Sequence, residues 1–331
     1  MKTTPLWVPI AGRPPTLTCT TEMPYCRLRP SQRPSGQTSV QLGSPRMRCL
    51  FCKRSNVSSR SDEHVIPQSL GNHSLVLPAG IVCDSCNNYF SREVEKPFMD
   101  SPVIRHLRYR QALLSKRGRG PAIGVVGATG GTATLTAPSR REPASLMFDR
   151  AENLIRLLGQ PRAVVLSHDQ ALPPSSTQVS RLLAKVALEF MASRLRETHG
   201  GLDYLIDEVN LDRLRNHARR GTDRDWPTSV RRIYPADAHG TTRVSPVQRV
   251  WELCLFEDGE GCQYSVLALF GLEMVIHIGE PDISGYRRWL VTSGGRSPLF
   301  VGSNAADQDN LLVSTPGPSQ SSRRVLLGYR T

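Results

Sequence analysis

Cys49-Leu50-Phe51-Cys52, Ser61-Asp62-Glu63-His64-Val65-Ile66-Pro67 and Val82-Cys83-Asp84-Ser85-Cys86-Asn87 follow one another closely in a chain of 331 residues. The two Cys-x-x-Cys pairs offer four thiolates, a set that zinc binds tetrahedrally once the intervening chain folds back. Cys49, Cys52, Cys83 and Cys86 therefore imply a closed structural zinc site, with no position left open for chemistry. Such a site contributes on the order of 10–16 kcal/mol, enough to fold a module too small for a large core. Glu63, His64 and Asn87 are of another kind. An imidazole with a pKa near 6.5 can act as general base around neutral pH. A carboxylate and an amide oxygen can hold a hard divalent cation, which polarises a phosphoryl group and stabilises its leaving oxygen. Adjacent residues on a strand face opposite ways, which suits one of the Glu63-His64 pair to a cation and the other to water.

Read together, Cys49–Cys52, Asp62-Glu63-His64-Val65-Ile66-Pro67-Gln68-Ser69-Leu70-Gly71 and Val82–Asn87 resemble the HNH endonuclease family, over about residues 47–100. The resemblance is to the zinc-stapled branch of that family and implies its ββα-metal fold. It implies His64 as general base on the first strand and Glu63 in the acidic or His metal-ligand position. Asn87, opening the helix, takes the final ligand position, where Asn is an accepted variant of His. The family's cation is commonly magnesium, with manganese, nickel or zinc able to serve, and its usual substrate is DNA. One departure stands out. The middle Asn of the motif, whose backbone carbonyl orients the catalytic His, has no counterpart in Ser74–Cys83. Any residue can supply a carbonyl, so activity is not excluded. Asn72 lies too early to replace it, Asn88 is expected to support the helix start, and Asp62 competes with Glu63 for the cation.

Outward from the motif, the net charge of +13 is uneven. Residues 47–142 carry 14 Lys/Arg against 7 Asp/Glu, whereas residues 143–300 carry 19 of each. A basic surround suits a polyanionic partner, although solvated surface charge explains it as well. Nucleic acid, DNA first, is the expected partner. Arg105, Arg108 and Arg110, on a helix capped by Ser101 with Pro102 in its first turn, are candidates for backbone contacts. His73 and His106 are weaker candidates beside them.

Residues 1–46, rich in Pro, Ser, Thr and Arg, are expected to be a disordered leader, or else the chain starts at Met47. Residues 47–115 form the motif module, and a helix from Asn87 is expected to be limited by Pro97. Residues 116–145 read as a connection with two short strands, Ile123–Val126 and Thr132–Thr136. Its Gly127–Gly131 cluster reads as a turn, not a phosphate loop. Residues 146–302 read as an α+β domain of undeclared role. There Val179, Leu182, Leu183, Val186, Phe190 and Met191 mark a helix over Thr177–Arg196. Arg249–Phe256, Cys262–Leu269 and Met274–Ile278 read as strands, which makes Cys254 and Cys262 plain strand residues. Residues 303–331 are expected to be disordered. The fold class is thus α+β, a zinc-stapled ββα-metal module ahead of a larger domain.

No stretch has the length or apolarity of a membrane span, and the amino terminus has no export-signal core, so a reducing cytoplasm is the expected setting. Two further readings compete with the nuclease. One is a zinc-stapled nucleic-acid reader whose centre has decayed. The other is a zinc-mediated protein-interaction module, which explains the thiols but not the Glu63-His64 pair.

Overall fold

The computed structural model describes residues 48–299, apart from 56–57, 128–131, 140–141, 149, 153–163, 168–173, 223–225, 237–238, 242–245 and 249, together with 325–326. The expected leader and most of the expected disordered tail lie outside the described residues, as does most of the Gly127–Gly131 cluster.

Two short strands open the molecule. β1 (Glu63–His64) and β2 (Val76–Leu77) pair antiparallel, Glu63 opposite Leu77 and His64 opposite Val76. The chain between them turns at Gly71, whose φ of +87° belongs to the left-handed region, and a Cβ there would collide with Val250. Asn72 closes the loop from within, fully buried. Its amide nitrogen donates to the carbonyls of Ile66 (2.8 Å) and Leu75 (2.9 Å), and its oxygen accepts from the Leu75 N–H (2.9 Å).

A long helix follows. α1 (Asp84–Phe90) passes through a π-helical segment, Ser91–Glu95, into α2 (Lys96–Asp100). The sequence places a limit at Pro97; the structure carries the helix past it. In the wider π turn the Lys96 N–H reaches the Ser91 carbonyl, and the Glu93 carbonyl accepts from Arg181 Nη1 at 3.4 Å. α3 (Pro102–Arg110) starts where expected, but the Ser101 hydroxyl donates to the Phe98 carbonyl and does not cap it. The helix ends at Arg110, and the chain turns at Ala112 with φ +49°.

β3 (Ala122–Gly127) and β4 (Thr132–Thr136) coincide with the two strands expected in the connection. With β5 (Ser145–Phe148), β6 (Val164–Ser167) and the strand Val325–Leu326, they form an antiparallel five-stranded sheet. That last strand falls within the tail read as disordered.

α4 (Ser176–Leu195) is the organising helix of the fold. Ser175 and Gln178 form a reciprocal capping box at its start, and its interior is buried almost throughout. After it come α5 (Gly201–Asp207) and α6 (Asp212–Arg220), then β7 (Thr228–Arg232) and a short hairpin, β8 (His239–Thr241) with β9 (Pro246–Gln248). β10 (Trp251–Glu257), β11 (Gln263–Leu269) and β12 (Leu272–His277) follow, and α7 (Ser284–Thr292) ends the described fold. The second sheet runs β10-β11-β12-β7, all antiparallel. Almost every residue of β10–β12 is buried, with α4 packed on one set of side chains and α7 on a separate apolar cluster.

α4 also packs against β2, the π segment and α2. One continuous apolar core consequently runs from Cys49, Phe51 and Phe90 through Leu182, Val186 and Phe190 to Leu267 and Met274. Among the described residues, no helix is long and apolar enough to cross a membrane.

Candidate active site and structural metal centre

The first thiol pair lies in a tight turn. Lys53 N–H bonds the Cys49 carbonyl (2.9 Å), Cys49 N–H bonds the Arg54 carbonyl (3.1 Å), and Lys53 adopts φ +58°. The second pair straddles a helix start, with Cys83 extended at the N-cap and Cys86 inside α1. The four sulfurs all lie within 4.8 Å of one another. Cys52 and Cys83 Sγ stand 3.8 Å apart, close to the edge of a tetrahedron built on Zn–S bonds of about 2.3 Å. The Cys83 N–H points at Cys49 Sγ (3.4 Å), and the Cys86 thiol lowers the pKa of Cys49 by hydrogen bonding to it. The four cysteines are thus placed to hold a structural metal such as zinc.

From α5, α6 and the turn between them the larger domain grips this turn. The buried Arg215 guanidinium donates to the Leu50 carbonyl (3.1 Å) and to Asp212 (2.6 Å). Lys53 pairs with Asp212 at 2.5 Å and Arg48 with Asp207 at 2.6 Å.

Glu63 and His64 take opposite faces of β1, as the strand period requires. Glu63 points inward, 5% exposed, with Oε1 2.7 Å from Lys185 Nζ on α4. Burial pushes its carboxyl above the ordinary range, and Lys185 opposes that shift. His64 is half-buried, and its pKa is lowered first by burial, then by the charges of Lys116, Lys185 and His73, with Glu95 opposing. Its Nδ1 is buried and has no hydrogen-bond partner among the described residues. Asn87 stands one turn into α1, its amide nitrogen donating to Ser61 Oγ (3.3 Å), so its carbonyl oxygen is the atom left for a cation. Asp62, the rival ligand, instead accepts the Ala79 N–H at 3.1 Å.

The helix α3 divides the three candidate arginines. Arg108 is 9% exposed and donates through Nε to the Ser69 carbonyl (3.0 Å), which makes it a strut under the β1–β2 loop. The sequence reading made it a backbone contact for nucleic acid; its burial and this bond give it a supporting place under the loop instead. Arg110 is exposed, and Arg105 is half-exposed beside Asp100 at 3.7 Å. His73 is exposed in the loop, and His106 is half-buried on α3.

Sequence reasoning missed Lys185, Glu95 and Lys116. Lys185 lies 121 positions from His64, and no local pattern links the two. Lys116 belongs to a turn closed by Gly118 N–H to the Ser115 carbonyl (2.8 Å) and Ser115 N–H to the Arg119 carbonyl (2.9 Å). Lys116, Arg117 and Arg119 are all exposed there. Leu113, just before the turn, lies beside Gly71 and so brings it to the β1–β2 loop.

A second group of ligating residues, Asp258, Glu260 and Cys262, occupies the β10–β11 turn. Asp258 is committed to the N–H groups of Glu260 and Cys262 and to the Tyr264 hydroxyl, and Glu260 pairs with Arg288. These are turn contacts.

A two-strand hairpin, a cluster of four thiols able to hold a metal and a helix that carries Asn87 in its first turn make up a ββα module. Residues 49–102 match the family model described as HNH endonuclease, and this stretch is an HNH endonuclease-type module. No curated protein and no solved structure matches the chain.

Proposed function

We propose that the protein is a metal-dependent endonuclease that hydrolyses phosphodiester bonds in nucleic acid, with DNA as the substrate, and that His64 is its general base. The observation that carries this reading is the position of His64: half-buried on the outer face of β1, within an HNH-type module. Its lowered pKa keeps the ring neutral at pH 7, the form that accepts a proton from water. Glu63 and Asn87 offer oxygen donors of the hard kind that magnesium and manganese prefer. When bound there, such a cation supplies Lewis-acid stabilisation of the phosphoryl oxygens. Lys185 occupies only Oε1 of Glu63, which leaves Oε2 as the donor. Lys116, Arg117 and Arg119, with Arg105 and Arg110, form the basic approach that neutralises the phosphate backbone. The four cysteines take zinc and hold the module together without entering the chemistry.

His64 Nδ1, without a partner among the described residues, together with the missing middle Asn, favours a second reading: a zinc-stapled module that binds nucleic acid without cutting it. A general base working through Nε2 is normally oriented by a bond from Nδ1. Incubating the zinc-loaded protein with supercoiled plasmid and with RNA, with and without magnesium or manganese, separates the two. Nicking or linearisation only when the cation is added supports the nuclease. Salt-sensitive binding with no cleavage of any substrate supports the binding module.

A further inference from the structure

We propose that Lys185, carried by α4 outside the HNH-type module, is the positioning residue of the catalytic strand, so that the nucleolytic site is assembled by both halves of the chain; this rests on the nuclease reading above. The ammonium is fully buried. It lies 2.7 Å from Glu63 Oε1, 2.9 Å from Glu95 Oε1 and 2.9 Å from Glu189 Oε2, and donates to the His64 carbonyl oxygen at 3.2 Å. One side chain thereby fixes the carboxylate of Glu63 and the main chain of His64 together. Through Glu95 it also holds the π segment of the helix that carries Asn87. The three pieces of the candidate site meet at one cation.

Within the module Asn72 braces the loop at Ile66 and Leu75, but among the described residues no contact there joins the Glu63 carboxylate to the His64 main chain as Lys185 does. β1 and β2 are two residues each, and a hairpin of that size is marginal by itself. The His64 ring has no partner at Nδ1 among the described residues, so its direction follows from the backbone that Lys185 grips.

Stability alone does not account for the arrangement. Desolvation offsets most of the attraction in a buried ion pair, and well-packed apolar residues of similar volume often serve as well or better. A structural pair also needs only one carboxylate. Here three surround the ammonium, and Glu189 Oε1 is buried without a partner among the described residues. The excess makes sense if the cation's task is to bring Glu63, Glu95 and His64 to fixed places.

The experiment compares the full-length protein with Lys185→Arg and with the double variant Lys185→Met/Glu189→Met. The double variant removes the ammonium together with Glu189, whose carboxyl is pushed well above the ordinary range by burial, so that no second unpaired acid is left in the core. Melting temperature, zinc content, kcat and KM for plasmid cleavage, and the His64 imidazole resonance in 1H–15N spectra are measured for each. The expected double variant is folded and zinc-loaded, with KM unchanged, kcat lower by about 10- to 100-fold, and the His64 resonance displaced. Lys185→Arg, which keeps the charge but moves it, is expected to fall between the two. A folded double variant with the parental kcat and an unmoved His64 resonance overturns the proposal. Should the double variant not fold, Lys185→Arg decides alone: a lower kcat at constant KM supports positioning, and parental values overturn it. Should the parent cleave nothing, the nuclease reading fails by itself. The His64 resonance then still answers, since displacement supports the hold by Lys185 and an unmoved signal refutes it.

Discussion

The thiol cluster and the Glu63–His64 strand share one small module, yet different means hold them. The cysteines carry their own geometry: two short turns, a sulfur separation of 3.8 Å and local backbone bonds place the ligands, and the larger domain braces the first turn through Arg215, Asp212 and Asp207. The Glu63–His64 strand has no such autonomy. Its two residues are set by a buried ammonium 121 positions away, by an Asn inside the β1–β2 loop and by an arginine beneath that loop. The difference separates two kinds of site. A metal centre can be written into a short sequence, because coordination bonds supply the directional energy. A general base needs orientation to a fraction of an ångström, and for His64 in its proposed role the surrounding fold is what supplies it.

The largest expected effect falls on the thiol side. Cys83→Ser, or stripping the metal with a chelator, is expected to unfold the module and abolish cleavage, because binding on the order of 10–16 kcal/mol is removed. Circular dichroism alongside zinc content checks this, and a folded, zinc-free variant would break the comparison.

Next comes the loop that supports β1. Asn72→Ala removes the Asn72 donor to the Ile66 carbonyl and the acceptor of the Leu75 N–H, at a cost of about 1–3 kcal/mol, while the Leu75 carbonyl keeps the Val65 N–H. Urea denaturation of the zinc-loaded protein should show the loss with zinc content intact. An unchanged midpoint would mean that the loop does not depend on Asn72.

The basic residues divide into binders and struts. Lys116→Ala is expected to raise KM and to reduce the salt slope of DNA binding by about 1. Arg108→Ala is expected to leave that slope alone and lower the melting temperature, because Arg108 bonds the Ser69 carbonyl. The opposite pattern would exchange their roles.

The smallest effect is a displacement along the pH axis. Burial and the charges of Lys116, Lys185 and His73 lower the His64 pKa, so the neutral base persists to lower pH than a free histidine allows. The acid limb of kcat/KM is therefore expected below pH 6.5 and, in Lys116→Ala, should move back up toward that value. A limb at or above 6.5 in the parent would contradict the assigned environment.

The sequence made some of this readable. Two Cys-x-x-Cys pairs mark by spacing alone a four-sulfur site that can hold a metal. The stripe from Val179 to Met191 marks α4 within a residue at either end, and the apolar runs of β10–β12 give three of the four strands of the second sheet, β7 having gone unread. Lys185 and Glu189 were not readable. Four positions apart on a helix, they look like a solvated surface pair, and only the packing of β2 and the π segment over that face buries them. The passage of the helix through Pro97 was equally hidden, because a π turn depends on tertiary partners such as Arg181 for the freed carbonyl. Arg108 illustrates the converse: a basic helix face resembles a phosphate contact until the loop that it supports is in view. The Ser175–Gln178 capping box, by contrast, was available from sequence at the usual spacing.

The most direct test of the account sets His64→Ala beside the parent in single-turnover cleavage of supercoiled DNA with magnesium or manganese, with DNA affinity and zinc content measured on the same samples. Loss of about 10²- to 10⁴-fold in rate, with affinity, zinc and melting temperature retained, is the predicted result. Cleavage at the parental rate in the folded variant would contradict the assignment of His64 as the base.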